Sequence, residues 1–137
     1  MKASVIISFY SLDRLPDVSE TIASVFRQNY SDKEIILVVD NRSELYQRVR
    51  EEFRDEVRVV VSSQAQGLSA ARNAGVKASQ GDVVVFLDDD AIAEDNWLER
   101  LMDSYRDPQV MAVGGRAVPL WAEAPHWLPE ELYWTIG

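Results

Sequence analysis

The stretch Gly81-Asp82-Val83-Val84-Val85-Phe86-Leu87-Asp88-Asp89-Asp90 places five consecutive apolar residues directly before three carboxylates. The apolar run is short, rich in β-branched valine and preceded by a Gly-Asp turn signal, so it reads as a strand buried on both faces. Its acidic end must then emerge at an edge open to water, metal or ligand, because an unpaired charge is costly to bury. In extended backbone successive side chains alternate, which puts Asp88 and Asp90 on one side and Asp89 on the other. Two carboxylates on one side suit a hard cation. Acids after a strand also cap the next helix, and this stretch alone leaves both readings open.

Outward from that strand the chain repeats one unit. Ala3 to Phe9 is a first strand, and the polar segment from Tyr10 to Asp13 is the loop after it. Pro16 suits a helix's first turn, and Val18, Ile22, Val25 and Phe26 then form one stripe of a helix ending near Asn29. Ile35 to Val39 is a second apolar run, leading into Asp40-Asn41-Arg42-Ser43. Leu45, Val49 and Phe53 mark the helix that follows, with Glu44 and Arg48 paired on its surface. Val57 to Val61 is the third strand, with the polar connection Ser62 to Gly67 behind it. Leu68, Ala71, Gly75 and Ala78 then give a helical stripe of mostly small residues, suited to close approach against a sheet. Beyond the three acids, Trp97, Leu98, Leu101, Met102 and Tyr105 mark a further helix that Asp107-Pro108 stops, and Val110 to Val113 reads as a fifth strand.

Strands alternating with amphipathic helices imply right-handed crossovers and an α/β fold: a mostly parallel sheet with helices on both faces, in three αβα layers. Ligands of such sheets sit outside the carboxyl ends of the strands. The clusters Ser8 to Asp13, Asp40 to Ser43, Ser62 to Gly67 and Asp88 to Asp90 are therefore expected to share one edge and one site.

Composition narrows the chemistry of that site. At 137 residues and 47% hydrophobic, the chain suits one domain with its own core. No apolar run approaches the ~18 residues of a membrane span, and the N-terminus enters a strand pattern directly, so a soluble cytoplasmic chain is expected. Without cysteine, and with His126 as its one imidazole, the chain would offer a metal oxygen ligands, which favours Mg2+ or Mn2+ over zinc. Acidic residues outnumber basic ones by 23 to 14, for a net charge of −9. That balance argues against binding to nucleic acid or anionic lipid; it fits charge-kept solubility or adaptation to high salt. Paired acids at a strand end, with neither a Walker lysine nor a Gly-x-Gly-x-x-Gly loop, fit a metal-bound diphosphate better than a P-loop or dinucleotide site.

The segment Gln66-Gly67-Leu68-Ser69-Ala70-Ala71-Arg72-Asn73-Ala74-Gly75 stands before Gly81-Asp82 and the acidic strand end. Ahead of it come Ser4-Val5-Ile6-Ile7-Ser8-Phe9-Tyr10 and Val38-Val39-Asp40-Asn41-Arg42-Ser43. In order and spacing, over residues 4 to about 115, these motifs resemble the family 2 glycosyltransferases of the GT-A (Rossmann-like) fold. The resemblance implies a site for an NDP-sugar donor of UDP or GDP type. Ser8 and Tyr10 would lie where the first loop meets base and ribose, Asp40 and Asn41 where the second reads the base, and Gly67 and Arg72 near the base or diphosphate. Of the Asp-x-Asp motif, Asp88 would take the ribose side and Asp90 the Mn2+ or Mg2+ bridging the phosphates, with Asp88 as the other metal ligand; Asp89 could assume either role. The implied reaction is inverting: a hexose passes from the NDP-sugar to a hydroxyl of a saccharide or lipid-linked acceptor, with a carboxylate general base and metal-assisted departure of the diphosphate.

The chain departs from the family pattern in two places. Ser8-Phe9-Tyr10-Ser11 replaces the usual Pro-Thr-Tyr-Asn, and Asn41-Arg42 replaces the Asp-Gly of the second motif, so a preference for uracil is not carried over. The general base of the family comes from the half after the fifth strand; Glu123, Glu130 and Glu131 match no motif. Residues 1–118 thus read as the nucleotide-sugar-binding half, and 119–137 as the truncated start of the acceptor half. There Trp121, Trp127 and Trp134 stand beside Pro119, Pro125 and Pro129. These tryptophans either cover the sheet's edge or the face where the other half would pack, or serve as an acceptor platform or membrane-interface contact at the cytoplasmic face, and exposed Trp surface favours a homo-oligomer. The alternative function is a non-catalytic sugar-nucleotide-binding or interaction module of the same fold.

Overall fold

Residues 1–40, 42–53, 55–62, 67–121 and 123–135 are described by a computed structural model. The repeat read from the sequence is present as β1 (Ala3–Phe9), α1 (Leu15–Phe26), β2 (Lys33–Asp40), α2 (Ser43–Phe53), β3 (Arg58–Ser62), α3 (Leu68–Ala78), β4 (Val83–Leu87) and α4 (Trp97–Ser104). A single 3-10 turn, Leu12–Arg14, leads from the first loop into α1, where Pro16 sits in the opening turn. The strands form one parallel sheet in the order β3-β2-β1-β4. All four carboxyl ends therefore point to one edge.

Side-chain alternation divides the two central strands between two cores. Val5, Ile7 and Phe9 of β1 and Ile35, Leu37 and Val39 of β2 face Val18, Ile22 and Val25 of α1, Leu45 and Val49 of α2, and Leu98 and Met102 of α4. Ile6, Ile36 and Val38 face the opposite way, onto Ala71 and Ala74 of α3. Each large aliphatic side chain so buried contributes about 1.5–3 kcal/mol. The layers are αβα, as expected, and the small-residue stripe of α3 lets its backbone approach the sheet. A Cβ added at Gly75 would stand 2.4 Å from Cγ2 of Ile6.

Four expectations are corrected. The strand before the three acids is not buried on both faces: β4 is an edge strand, and Phe86 on its α3 side is 45% exposed. Its apolar composition does not distinguish a central strand from an edge strand. Among the described residues no fifth strand forms. Val110 to Val113 is irregular, Met111 is 94% exposed, and nothing pairs with this segment, whose β character needs a ladder partner. On α2, Arg48 reaches forward to Glu51 (3.9 Å) and Glu52 (3.5 Å) rather than back to Glu44. The three acids also depart from strand alternation, because β4 ends at Leu87, before them.

Candidate functional site

The four strand ends converge on a cavity of about 720 Å³. It is lined by Ser8, Phe9 and Tyr10 at the end of β1, Arg14 of the 3-10 turn before α1, Val38 and Arg42 around the end of β2, Ser62 of β3, Gly67, Leu68 and Ala71 at the start of α3, and Asp88, Asp89 and Asp90 after β4. The size is within the ~300–1,000 Å³ usual for small-molecule sites. Polar loops that are far apart in sequence are thus neighbours, as the parallel topology requires. Asp40 ends β2 opposite Ser62 in the sheet register. Asn41, and Ser63 to Gln66 of the third loop, lie outside the described residues. Gly67 precedes α3 with φ +114°, a conformation that L side chains rarely adopt, and this lets the loop turn directly into the helix at the cavity wall.

The acids do not follow strand alternation. β4 ends at Leu87, and the amide of Ala91 donates to the carbonyl of Asp88 (3.2 Å), closing a turn over the acids. Asp88 and Asp90 therefore do not form a same-side pair with Asp89 pointing away. Asp89 and Asp90 share one guanidinium: Arg14 Nη1 lies 3.2 Å from Asp89 Oδ1, and Nη2 lies 2.6 Å from Asp90 Oδ2. Asp88 pairs instead with Arg72 at 3.1 Å, whose guanidinium also lies 5.4 Å from the centre of the Phe86 ring. Arg72 touches the cavity through Asp88, and by stacking it covers part of the exposed edge-strand aromatic.

Position is enforced from beneath the turn. Gln28, buried at the end of α1, donates to the carbonyls of Ser24 (3.1 Å) and Glu94 (2.9 Å) and accepts the amide of Leu98 (3.0 Å). Ser24 Oγ accepts the amide of Ala93 at 3.0 Å. The segment leading from the acids to α4 is thus bound to α1, the same helix that Arg14 precedes.

Electrostatically the three acids differ. Asp89 is 5% exposed, and its Oδ2 has no hydrogen-bond partner. Burial pushes its carboxyl above the usual range, Arg14 pulls it back down, and the charges of Asp90 and Asp88 push it up again. Arg14 is raised, first by its hydrogen bond with the Tyr10 hydroxyl (3.0 Å), against a smaller lowering by burial, and further by Asp89 and Asp90. Arg42 donates to the backbone carbonyl of Tyr10, joining the first and second loops.

Arg14 and Arg42 are the site residues that sequence reasoning passed over. Arg42 stood inside a quoted motif without a role. Arg14 lies just past the first loop, outside any motif, and its contact with Tyr10 comes from the loop's irregular path, which no helical or strand period predicts. Among the described residues no cluster of three or more His, Cys, Asp or Glu is arranged to hold a metal ion. The donor set nonetheless fits a hard cation: three carboxylates at one cavity wall, one with a buried oxygen lacking any partner.

The glycosyl transferase family 2 model matches residues 4–136, and the chain belongs to that family. Over 100% of its length it is 43% identical to a glucosyl-dolichyl phosphate glucuronosyltransferase of Haloferax volcanii, of which it spans 45%. Among solved structures it is similar to S. aureus TarS in complex with UDP-GlcNAc, with a TM-score of 0.61 and 25% identity over 88% of this chain and 37% of that one. A mannosyltransferase of Pyrobaculum calidifontis, solved with GDP-Man and Mn2+, has a TM-score of 0.66 at 21% identity over 80% of this chain and 33% of that one; it speaks for the fold alone. The chain spans less than half the length of each of these proteins. No helix among the described residues is long and apolar enough to cross a membrane.

Proposed function

We propose that this chain forms the donor-binding part of an inverting glycosyltransferase that passes a sugar from an NDP-sugar to an acceptor hydroxyl. The observation that carries the reading is a cavity at the carboxyl edge of a parallel sheet, lined by Ser8, Tyr10 and Gly67 together with Asp88, Asp89 and Asp90, in a family 2 chain. Ser8, Tyr10, Asp40 and Asn41 take the base and ribose, and Arg72 acts beside the diphosphate through Asp88. Asp90, with Asp88 or Asp89 as its partner, is the carboxylate to hold Mn2+ or Mg2+, which when bound supplies positive charge to the departing diphosphate.

The chain's own residues then bind, orient and shield. The turn closed by Ala91 and supported by Gln28 fixes the carboxylates, so little reorganisation accompanies donor binding. Val38, Leu68 and Ala71 give the cavity an apolar floor that strengthens its charge interactions.

The similarity to the glucosyl-dolichyl phosphate glucuronosyltransferase supports a lipid-linked acceptor, and the similarity to TarS in complex with UDP-GlcNAc supports a UDP-type donor. On this reading the protein acts peripherally at the cytoplasmic face of a membrane. Residues 119–137 are then the start of the acceptor half. In that segment Trp121 packs edge-to-face on Tyr133 (5.7 Å between ring centres), and Trp127 and Leu120 are exposed, a surface that also suits self-association.

Calorimetric titration with UDP, GDP, CDP and dTDP in the presence of Mn2+ tests the reading. One nucleotide should bind in a metal-dependent manner, and Asp88→Ala and Asp90→Ala should each weaken it by about 10- to 100-fold, the loss typical of metal-site changes. Unchanged nucleotide affinity in both variants would sink it.

A further inference from the structure

Arg14 seats its guanidinium against two of the three acids of the cavity. Its two terminal nitrogens bridge Asp89 and Asp90, at 3.2 and 2.6 Å, and Nη1 also donates to the Tyr10 hydroxyl. A planar fork of this kind is suited to span two carboxylates, which a point charge is not. The arrangement answers a definite electrostatic need. Asp89 is almost fully buried beside two other acids, and neighbouring carboxylates without a cation between them cannot all remain charged. The other ion pair of the site is different in kind: Asp88 and Arg72 are both well exposed, so water already screens them.

A divalent cation with oxygen ligands at about 2.0–2.2 Å would draw on the same oxygens and repel a guanidinium seated on them. We propose that Arg14 is an exchangeable counter-ion of the Asp89–Asp90 pair, one that holds both carboxylates charged and in place before the donor arrives and yields them to the divalent cation. Arg14 remains tethered to the first loop through the face of the Tyr10 ring, 5.6 Å from its guanidinium carbon, so the exchange needs a side-chain rotation and no movement of the sheet. One consequence is thermodynamic coupling. The cation alone competes with Arg14 and binds weakly; nucleotide diphosphate adds phosphate ligands, and the two together win the site. The proposal rests on the donor-site reading, and it makes Arg14 a positioning residue that tunes metal affinity.

Magnesium titrations of the full chain, with and without UDP or GDP, test it, with thermal melts to establish that each variant is folded. In the absence of nucleotide, Arg14→Gln should bind Mg2+ about 10-fold more tightly than the wild type, because a charge-assisted bridge no longer competes. The enhancement of Mg2+ affinity by nucleotide should shrink by a similar factor. Arg14→Lys keeps the charge and loses the fork, so it should fall between the two; it reads the same competition if the glutamine variant does not fold. Equal Mg2+ affinity in wild type and Arg14→Gln overturns the exchange while leaving the donor site standing. A lysine variant identical to wild type beside a tightened glutamine variant also overturns it, since the field of the charge would then be the cause. Absence of Mg2+ binding in all three, with nucleotide present, overturns the cation site and the exchange together.

Discussion

At the N-terminal edge of the sheet Glu34 sits partly buried with both oxygens engaged, and at the carboxyl edge Asp89 sits more deeply with one oxygen orphaned. Glu34 Oε1 accepts from Ser4 Oγ (2.6 Å) and the amide of Gln80 (2.8 Å), while Oε2 lies 3.5 Å from Lys2 Nζ. Ser4 Oγ in turn accepts the amide of Gly81, and Asp82 accepts the amide of Lys2 at 2.8 Å. Burial raises the Glu34 carboxyl, but these partners together bring it below the usual range, whereas burial leaves Asp89 above it. The same fold therefore satisfies a carboxylate where it joins β1, β2 and β4, and leaves one oxygen without a partner at the wall of the cavity. Unsatisfied polar groups in native proteins concentrate at functional positions for this reason.

The contrast can be broken or sharpened by substitution. The largest effect is expected at Gly81→Ala, whose new Cβ would stand 2.7 Å from the Lys2 carbonyl and 2.9 Å from the Ser4 amide. Because these are backbone atoms, the network must shift, and chemical denaturation should report a loss of about 3 kcal/mol.

Next comes Glu34→Gln, which gives up charge-assisted bonds and should cost about 2 kcal/mol at pH 7. The folded carboxyl lies below its ordinary value of 4.5, so its contribution is present above that pH and is lost as pH falls through the folded value. Denaturation curves of wild type and variant should accordingly converge in acid.

Asp89→Asn is the smallest effect and opposite in sign: a modest stabilisation of the metal-free protein at neutral pH, because burial disfavours the charged carboxyl. With the folded carboxyl raised above 3.8, the native state holds the proton more tightly, and stability falls as pH rises through that raised value. The gain from asparagine should be full above it and fade as pH returns toward 3.8. A destabilised Asp89→Asn would place Asp89 with Glu34 as a structural acid and erase the difference between the two edges.

The order of elements was legible because it rests on local patterns. β1 spans Ala3–Phe9 and α3 spans Leu68–Ala78, as read from apolar runs and the small-residue stripe, and the shared edge of the four loops followed from parallel topology. What failed was non-local. Among the described residues Val110 to Val113 has strand composition without a strand to pair with, and Phe86 reads as buried although β4 has only β1 beside it there. The acids were found, but their alternation was wrong because a turn starts where the extended run was assumed to continue.

By itself the sequence determined the α/β class, the succession of strands and helices, and the set of carboxylates that the sheet delivers to its carboxyl edge, since periodicity and residue type act over a few neighbours. Only the tertiary structure decided which of those carboxylates is buried and which cation each one meets. Asp89 and Asp90 lie more than 70 residues from Arg14 in the chain, and it is the hydrogen bonding of α1 and Gln28 to the segment after β4 that joins them. Burial and charge pairing are properties of that assembled neighbourhood, and no local pattern encodes them.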